Sequence, residues 1–277
     1  GSRSSSACAA ELTPQLKALI MSTSRGTNDT DFLDPFTTAL EKLPGVEALA
    51  LGGSRAQGTH HPDSDWDVAI YYRGDFQPGR IGELGWRGSL SDVGGWGPIF
   101  NGGGKLTIDD RVIDIHYRDL DLIDQVHDDA CEGEFTIEPL MFHQAGIPTY
   151  ILLAELGLNI PLRGAPPQFD YPEALRGTAP PIWSDRAQLT LDYAEGHAGH
   201  GRIAQCAGLI SEAACQMAHA LLAHRGEWIT NEKQLLTLAG LRAIDRVIAD
   251  LHADVPSATK AVQRARKLLT GALEGEG

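Results

Sequence analysis

Positive charge is scarce in this chain: 23 Lys and Arg stand against 37 Asp and Glu, a formal net charge of −14 over 277 residues. That balance repels phosphate backbones and anionic lipid surfaces, so nucleic acid is disfavoured as a partner and a cationic small molecule favoured. Cysteine is scarce as well. Cys8, Cys131, Cys206 and Cys215 show no CxxC spacing, which argues against a zinc site and a disulfide framework and for a reducing, cytoplasmic setting. No run of roughly eighteen apolar residues exists to cross a bilayer. The Ser-rich start has neither a basic nor an apolar leader region, so no signal peptide is expected. Phosphate-binding fingerprints are missing too. No G-x-G-x-x-G occurs, and a P-loop ending at Lys105 fails because Ile99 and Leu106 stand where Gly and Ser or Thr are required.

What remains, 42% hydrophobic and 22% charged residues, fits one large or two modest globular domains. Residues 1–28, crowded with Ser, Thr, Gly and Asn towards their end, are expected to be poorly ordered. From Asp31 to Leu43 apolar residues recur at helical spacing until Pro44-Gly45 stops them. Val46–Leu51 (VEALAL), Trp66–Tyr72 (WDVAIYY) and Arg111–Tyr117 (RVIDIHY) read as strands. The Gly-rich tract 94–104 between the last two reads as a loop and hairpin over one face of the sheet. Trp86 and Trp96 flank it, with core or lid packing as the main expectation and an acceptor or base pocket as the alternative. Beyond residue 135 the texture turns Ala- and Leu-rich and is expected to be helical, interrupted by the Pro-rich stretch 161–181.

The chemistry concentrates in Gly52–Asp67 (GGSRAQGTHHPDSDWD) and in Asp114. Asp65 and Asp67 are two apart at the start of a strand, which puts both carboxylates on one face. Like charges held that close require a compensating cation, and a divalent metal is the natural one. If RVIDIHY lies beside this strand, Asp114 completes a three-carboxylate cluster able to hold two ions about 4 Å apart. Gly53-Ser54 follows a strand, so free backbone N–H groups and the Ser54 hydroxyl can hold a phosphate tail, with Arg55 adding charge. Asp63 reads as a turn former. His60, His61 and His116 read mainly as solvated histidines.

A Gly-Ser turn followed about ten residues later by D-x-D on a strand, with a third acid on a later strand, resembles the nucleotidyltransferase superfamily of the polymerase-β-type fold. The nearer likeness is to the bacterial aminoglycoside and lincosamide nucleotidyltransferases. The resemblance implies an α+β fold. A mixed sheet at residues 29–134 would be followed by an α-helical domain at 135–277 closing over the active-site face. It further implies Asp65, Asp67 and Asp114 as catalytic metal ligands for two Mg2+ ions, with Asp114 also a candidate base. Gly53, Ser54, Arg55 and Lys233, the last in an N-E-K stretch at the start of a helix, would bind ATP or another NTP. The implied reaction moves a nucleoside monophosphate onto a hydroxyl of a small molecule, with an aminoglycoside-like acceptor favoured by the acidic charge and a monomer or homodimer as the assembly. AMP transfer to a protein partner and a non-catalytic nucleotide-binding protein are the alternatives.

Overall fold

The computed structural model describes residues 31–275, so the expectation for residues 1–28 lies outside the described residues. By contact the chain divides into two compact units, one reaching to residue 124 and including 155–168, the other formed by 125–154 and 169 onward.

The first unit is a mixed six-stranded sheet with helices, which bears out the α+β expectation. Its elements are α1 (Leu33–Leu40), β1 (Val46–Leu51), the single turn α2 (Gly53–Ala56), β2 (Trp66–Tyr72), α3 (Gly79–Gly82), β3 (Arg87–Leu90), α4 (Gly97–Phe100), β4 (Gly102–Ile108) and β5 (Arg111–Asp119). Strand order is β3-β4-β5-β2-β1-β8. The last strand, β8 (Ile160–Arg163), pairs antiparallel with β1. Among the described residues of this sheet, only β2 and β5 run parallel.

Alternation along β2 sends Trp66, Val68, Ile70 and Tyr72 into a core shared with Phe32, Phe36, Leu40, Ile113, Ile115 and Tyr117. Asp67, Ala69 and Tyr71 therefore face the other side. The Gly-rich tract differs in part from the loop expected of it: it holds the turn α4, and its last three residues open β4, an interior strand between β3 and β5. Asp109 and Asp110, with φ of +49° and +61°, make the two-residue turn into β5, the backbone that a tight hairpin needs.

In the second unit, residues 137–148 form a hairpin of β6 (Ile137–Leu140) and β7 (His143–Pro148). Together with β8, this corrects the reading of everything beyond residue 135 as helical; these short segments carry too little period-2 pattern to stand out. The helical expectation holds for most of the rest. Helices α5 (Leu120–Cys131) and α6 (Ile151–Leu158) cross the unit boundaries, and α7 (Glu173–Gly199), α8 (Ile203–Arg225), α9 (Leu235–Leu238), α10 (Ile244–Ala249) and α11 (Val255–Glu274) follow. Helix α7 runs through Pro180 and Pro181 instead of stopping there. Buried Leu175, Trp183, Ala187 and Leu191 supply the packing that offsets the backbone bonds which the prolines remove. Helix α8 is apolar and long enough to span a bilayer, yet 72% of that window is buried within the protein, as in a core helix.

Candidate active site

Sheet register builds the site. Asp67 on β2 lies directly beside Asp114 on parallel β5, and Lys105 on antiparallel β4 lies beside Asp114 on its other flank. One row across three strands thus reads Lys105, Asp114, Asp67, all on the face opposite the core. Asp65, just ahead of β2, reaches the same place: Lys105 Nζ donates to Asp65 Oδ2 at 3.0 Å and lies 3.2 Å from Asp114 Oδ1. That Asp114 oxygen is buried, and its approach to the ammonium misses hydrogen-bond angles. The Asp65 bond first, with Asp114 adding, pushes the Lys105 pKa above its ordinary value. Lys105 is thus the cation that the carboxylates require.

The turn after β1 is fixed to the same row. Gly52 donates its N–H to the Asp67 carbonyl at 2.8 Å. Gly53 has φ +61°, and a Cβ there would stand 1.9 Å from Asp67 Oδ2. Only glycine satisfies both the backbone and the approach. Ser54 is half-buried in the first turn of α2, and Thr59 donates its N–H to the Ser54 carbonyl at 2.9 Å, closing the loop.

The next row down the face holds Gly103 and His116. His116 Nε2 lies 3.7 Å from Asp67 Oδ1. Trp96 leans over the gap that Gly103 leaves, where a Cβ would stand 2.7 Å from the indole, and its ring meets His116 edge-on with centroids 6.0 Å apart. It remains 43% exposed, so Trp96 borders the acid face. Trp86 belongs to the opposite side, 5.0 Å from Phe36, and lines a cavity of about 630 Å³ there with Phe32 and Asp109.

Lower still, the face is closed. Arg118, 1% exposed, makes a two-pronged ion pair with Glu155 of α6, and Asn159 donates to the Tyr71 hydroxyl at 3.1 Å. Within this unit the acids therefore stand at the open end of the face, away from the Arg118–Glu155 pair.

Two further expected residues have the following surroundings. Arg55 is buried and donates to the carbonyls of Ser64 at 2.8 Å, Asp65 at 3.3 Å and Pro62 at 3.4 Å, with its guanidinium 4.1 Å from the Trp66 ring centroid. The arginine expected at phosphate instead holds the loop that delivers Asp65. Lys233 belongs to the second unit, exposed in the turn ahead of α9 and not in a helix, and its N–H donates to Asn231 Oδ1 at 2.9 Å. Lys105 and the Arg118–Glu155 pair had no functional reading from sequence. The signal for Lys105 was the pattern T-I-D-D-R-V, whose central Asp pair folds β4 onto β5 and puts the lysine opposite Asp114.

Hard oxygen donors suit Mg2+ in kind, and a cation already stands among them. Among the described residues no group of three or more His, Cys, Asp or Glu is gathered as a metal site. Lys105 Nζ stands between Asp65 and Asp114, where a divalent ion held by both would also lie.

Residues 34–133 match the family model of the nucleotidyltransferase domain. That segment contains every strand of the sheet except β8, together with Gly53, Ser54 and all three acids. The match supports a nucleotidyltransferase domain in this part of the chain, and with it a transferase in the broad sense. Among solved structures the chain is similar to a nucleotidyltransferase-like protein from Exiguobacterium sibiricum 255-15, at 8% identity and a TM-score of 0.42, covering 89% of this chain and 75% of that one. No curated protein sequence matches the chain.

Proposed function

We propose that the protein is a Mg2+-dependent nucleotidyltransferase that moves AMP from ATP onto a hydroxyl of a small molecule, with an aminoglycoside-like sugar as the favoured acceptor. The observation that supports this reading is the row in which Asp67 and Asp114 stand side by side while Gly53 bears on the Asp67 carboxylate. In this reading Asp65, Asp67 and Asp114 would hold the divalent ions, which would supply charge stabilisation for the triphosphate and acidity for the attacking hydroxyl. The Gly53 backbone and the Ser54 hydroxyl receive the triphosphate tail, and Arg55 keeps the 59–65 loop in position. The acceptor oxygen attacks the α-phosphorus, the bond to pyrophosphate breaks, and the hydroxyl proton passes to the Asp114 carboxylate. Such a transfer rests on positioning and charge more than on covalent chemistry. The net charge of −14 favours a polycationic acceptor.

The test is pyrophosphate release from each NTP with Mg2+ across a panel of aminocyclitols, run beside Asp65→Asn and Asp67→Asn. Both variants are expected to fold and to lose at least about a hundredfold in turnover. Full turnover in either would refute the metal-holding role. Silence with every aminocyclitol would redirect the acceptor assignment to a macromolecule.

A further inference from the structure

We infer that Lys105 is a built-in counter-ion that occupies the carboxylate cluster between turnovers and must leave before a divalent ion enters between Asp65 and Asp114; this rests on the proposed metal role of those acids. The observations are geometric. The ammonium lies 3.0 Å from Asp65 Oδ2 and 3.2 Å from Asp114 Oδ1, bridging residues from two different segments. Its stem rises from the β4 position paired with Asp114, so the strand register itself aims it. The side chain is 57% exposed, so it can swing outward without disturbing the core. The preceding position on the same face of β4 is Gly103, whose missing side chain is replaced by the Trp96 ring.

This arrangement gives Lys105 two functions. In the absence of metal it offsets repulsion between Asp65 and Asp114 and keeps those two gathered. When metal arrives it competes, because one cation must replace another, and this weakens affinity for a lone ion. Once displaced, the ammonium remains tethered beside the cluster, near where an anionic substrate would lie. Lys105 is thus a positioning residue that sets the threshold at which the site loads.

The test is calorimetric titration of the full chain with Mn2+, without nucleotide, for the wild type, Lys105→Met and Lys105→Arg. We expect Lys105→Met to bind at least tenfold more tightly than the wild type. Lys105→Arg, which retains the competing cation, should stay within about threefold of it. A merely structural lysine would not produce that split. Mn2+ should also raise the thermal midpoint of Lys105→Met more than that of the wild type. If Lys105→Met does not fold, Lys105→Gln serves in its place. Equal affinities in wild type and Lys105→Met would overturn the inference and leave the metal role intact. No binding to any variant would overturn both, whereas binding to Lys105→Met alone would be the strongest form of the expected result.

Discussion

Replacing Gly53 with alanine probes the closest contact in the site, and Gly58 offers a matched control. Both residues have left-handed backbones, φ +61° and +68°, but a Cβ on Gly58 meets nothing within 4 Å whereas one on Gly53 stands 1.9 Å from Asp67 Oδ2. The left-handed conformation alone costs an L-residue about 1–2 kcal/mol, and Gly58→Ala should lose that much in urea denaturation and nothing more. In Gly53→Ala the Asp67 carboxylate must also retreat by about 1.5 Å to reach an ordinary contact distance. Displacements of that size at a reacting centre reduce rates by about a hundredfold. Gly53→Ala is therefore expected to lose at least as much stability as Gly58→Ala and, unlike it, to lose Mn2+ affinity and pyrophosphate release. If the two variants matched each other in stability and also in Mn2+ affinity and turnover, the proposed dependence of Asp67 on Gly53 would be refuted.

The role of Arg55 and the acid sensitivity of the second unit give two further tests. Arg55→Met removes bonds to the carbonyls of Ser64, Asp65 and Pro62 and should destabilise by about 2–3 kcal/mol. It should lower kcat by displacing Asp65 while leaving the KM for triphosphate nearly unchanged; a raised KM with unaltered kcat would instead mark a phosphate contact. His219, buried and stacked on Trp183 at 4.5 Å, has its pKa lowered to about 3, by burial first and by His143 second. With the unfolded histidine near 6.5, protonation favours the unfolded chain, so this contribution is fully present above pH 6.5. It is lost as pH falls towards 3, by about 1.4 kcal/mol per unit. His219→Phe should flatten that limb in urea melts between pH 7 and 4; an unchanged slope would refute the assignment.

Much of the site was legible because its logic is local. The D-x-D spacing fixes two acids to one face, and the apolar run around Asp114 marks a strand that carries a single misplaced charge. The Gly-Ser pair at a strand end marks a turn of close approach. The loop-holding bonds of Arg55 were not legible, because a cation beside a phosphate-binding turn and a cation tying down a loop look alike in one dimension. Its partners include backbone carbonyls, which every residue has and which leave no mark in the sequence. The strand at 160–163 was hidden for a related reason: four residues are too few to show a period, and β8 exists because β1 offers it a free edge.

Composition and spacing by themselves determined the acidic character, the acid pair and the glycine turn, since each depends on neighbours a few residues apart, while the α+β class came with the resemblance those motifs carry. Which cation stands among the acids depended on the tertiary structure. Lys105 lies 40 residues from Asp65 along the chain, and the two meet only because a two-residue turn folds β4 back onto β5. Charge neutralisation falls away within a few ångströms, so its partners are chosen by strand register and not by sequence distance.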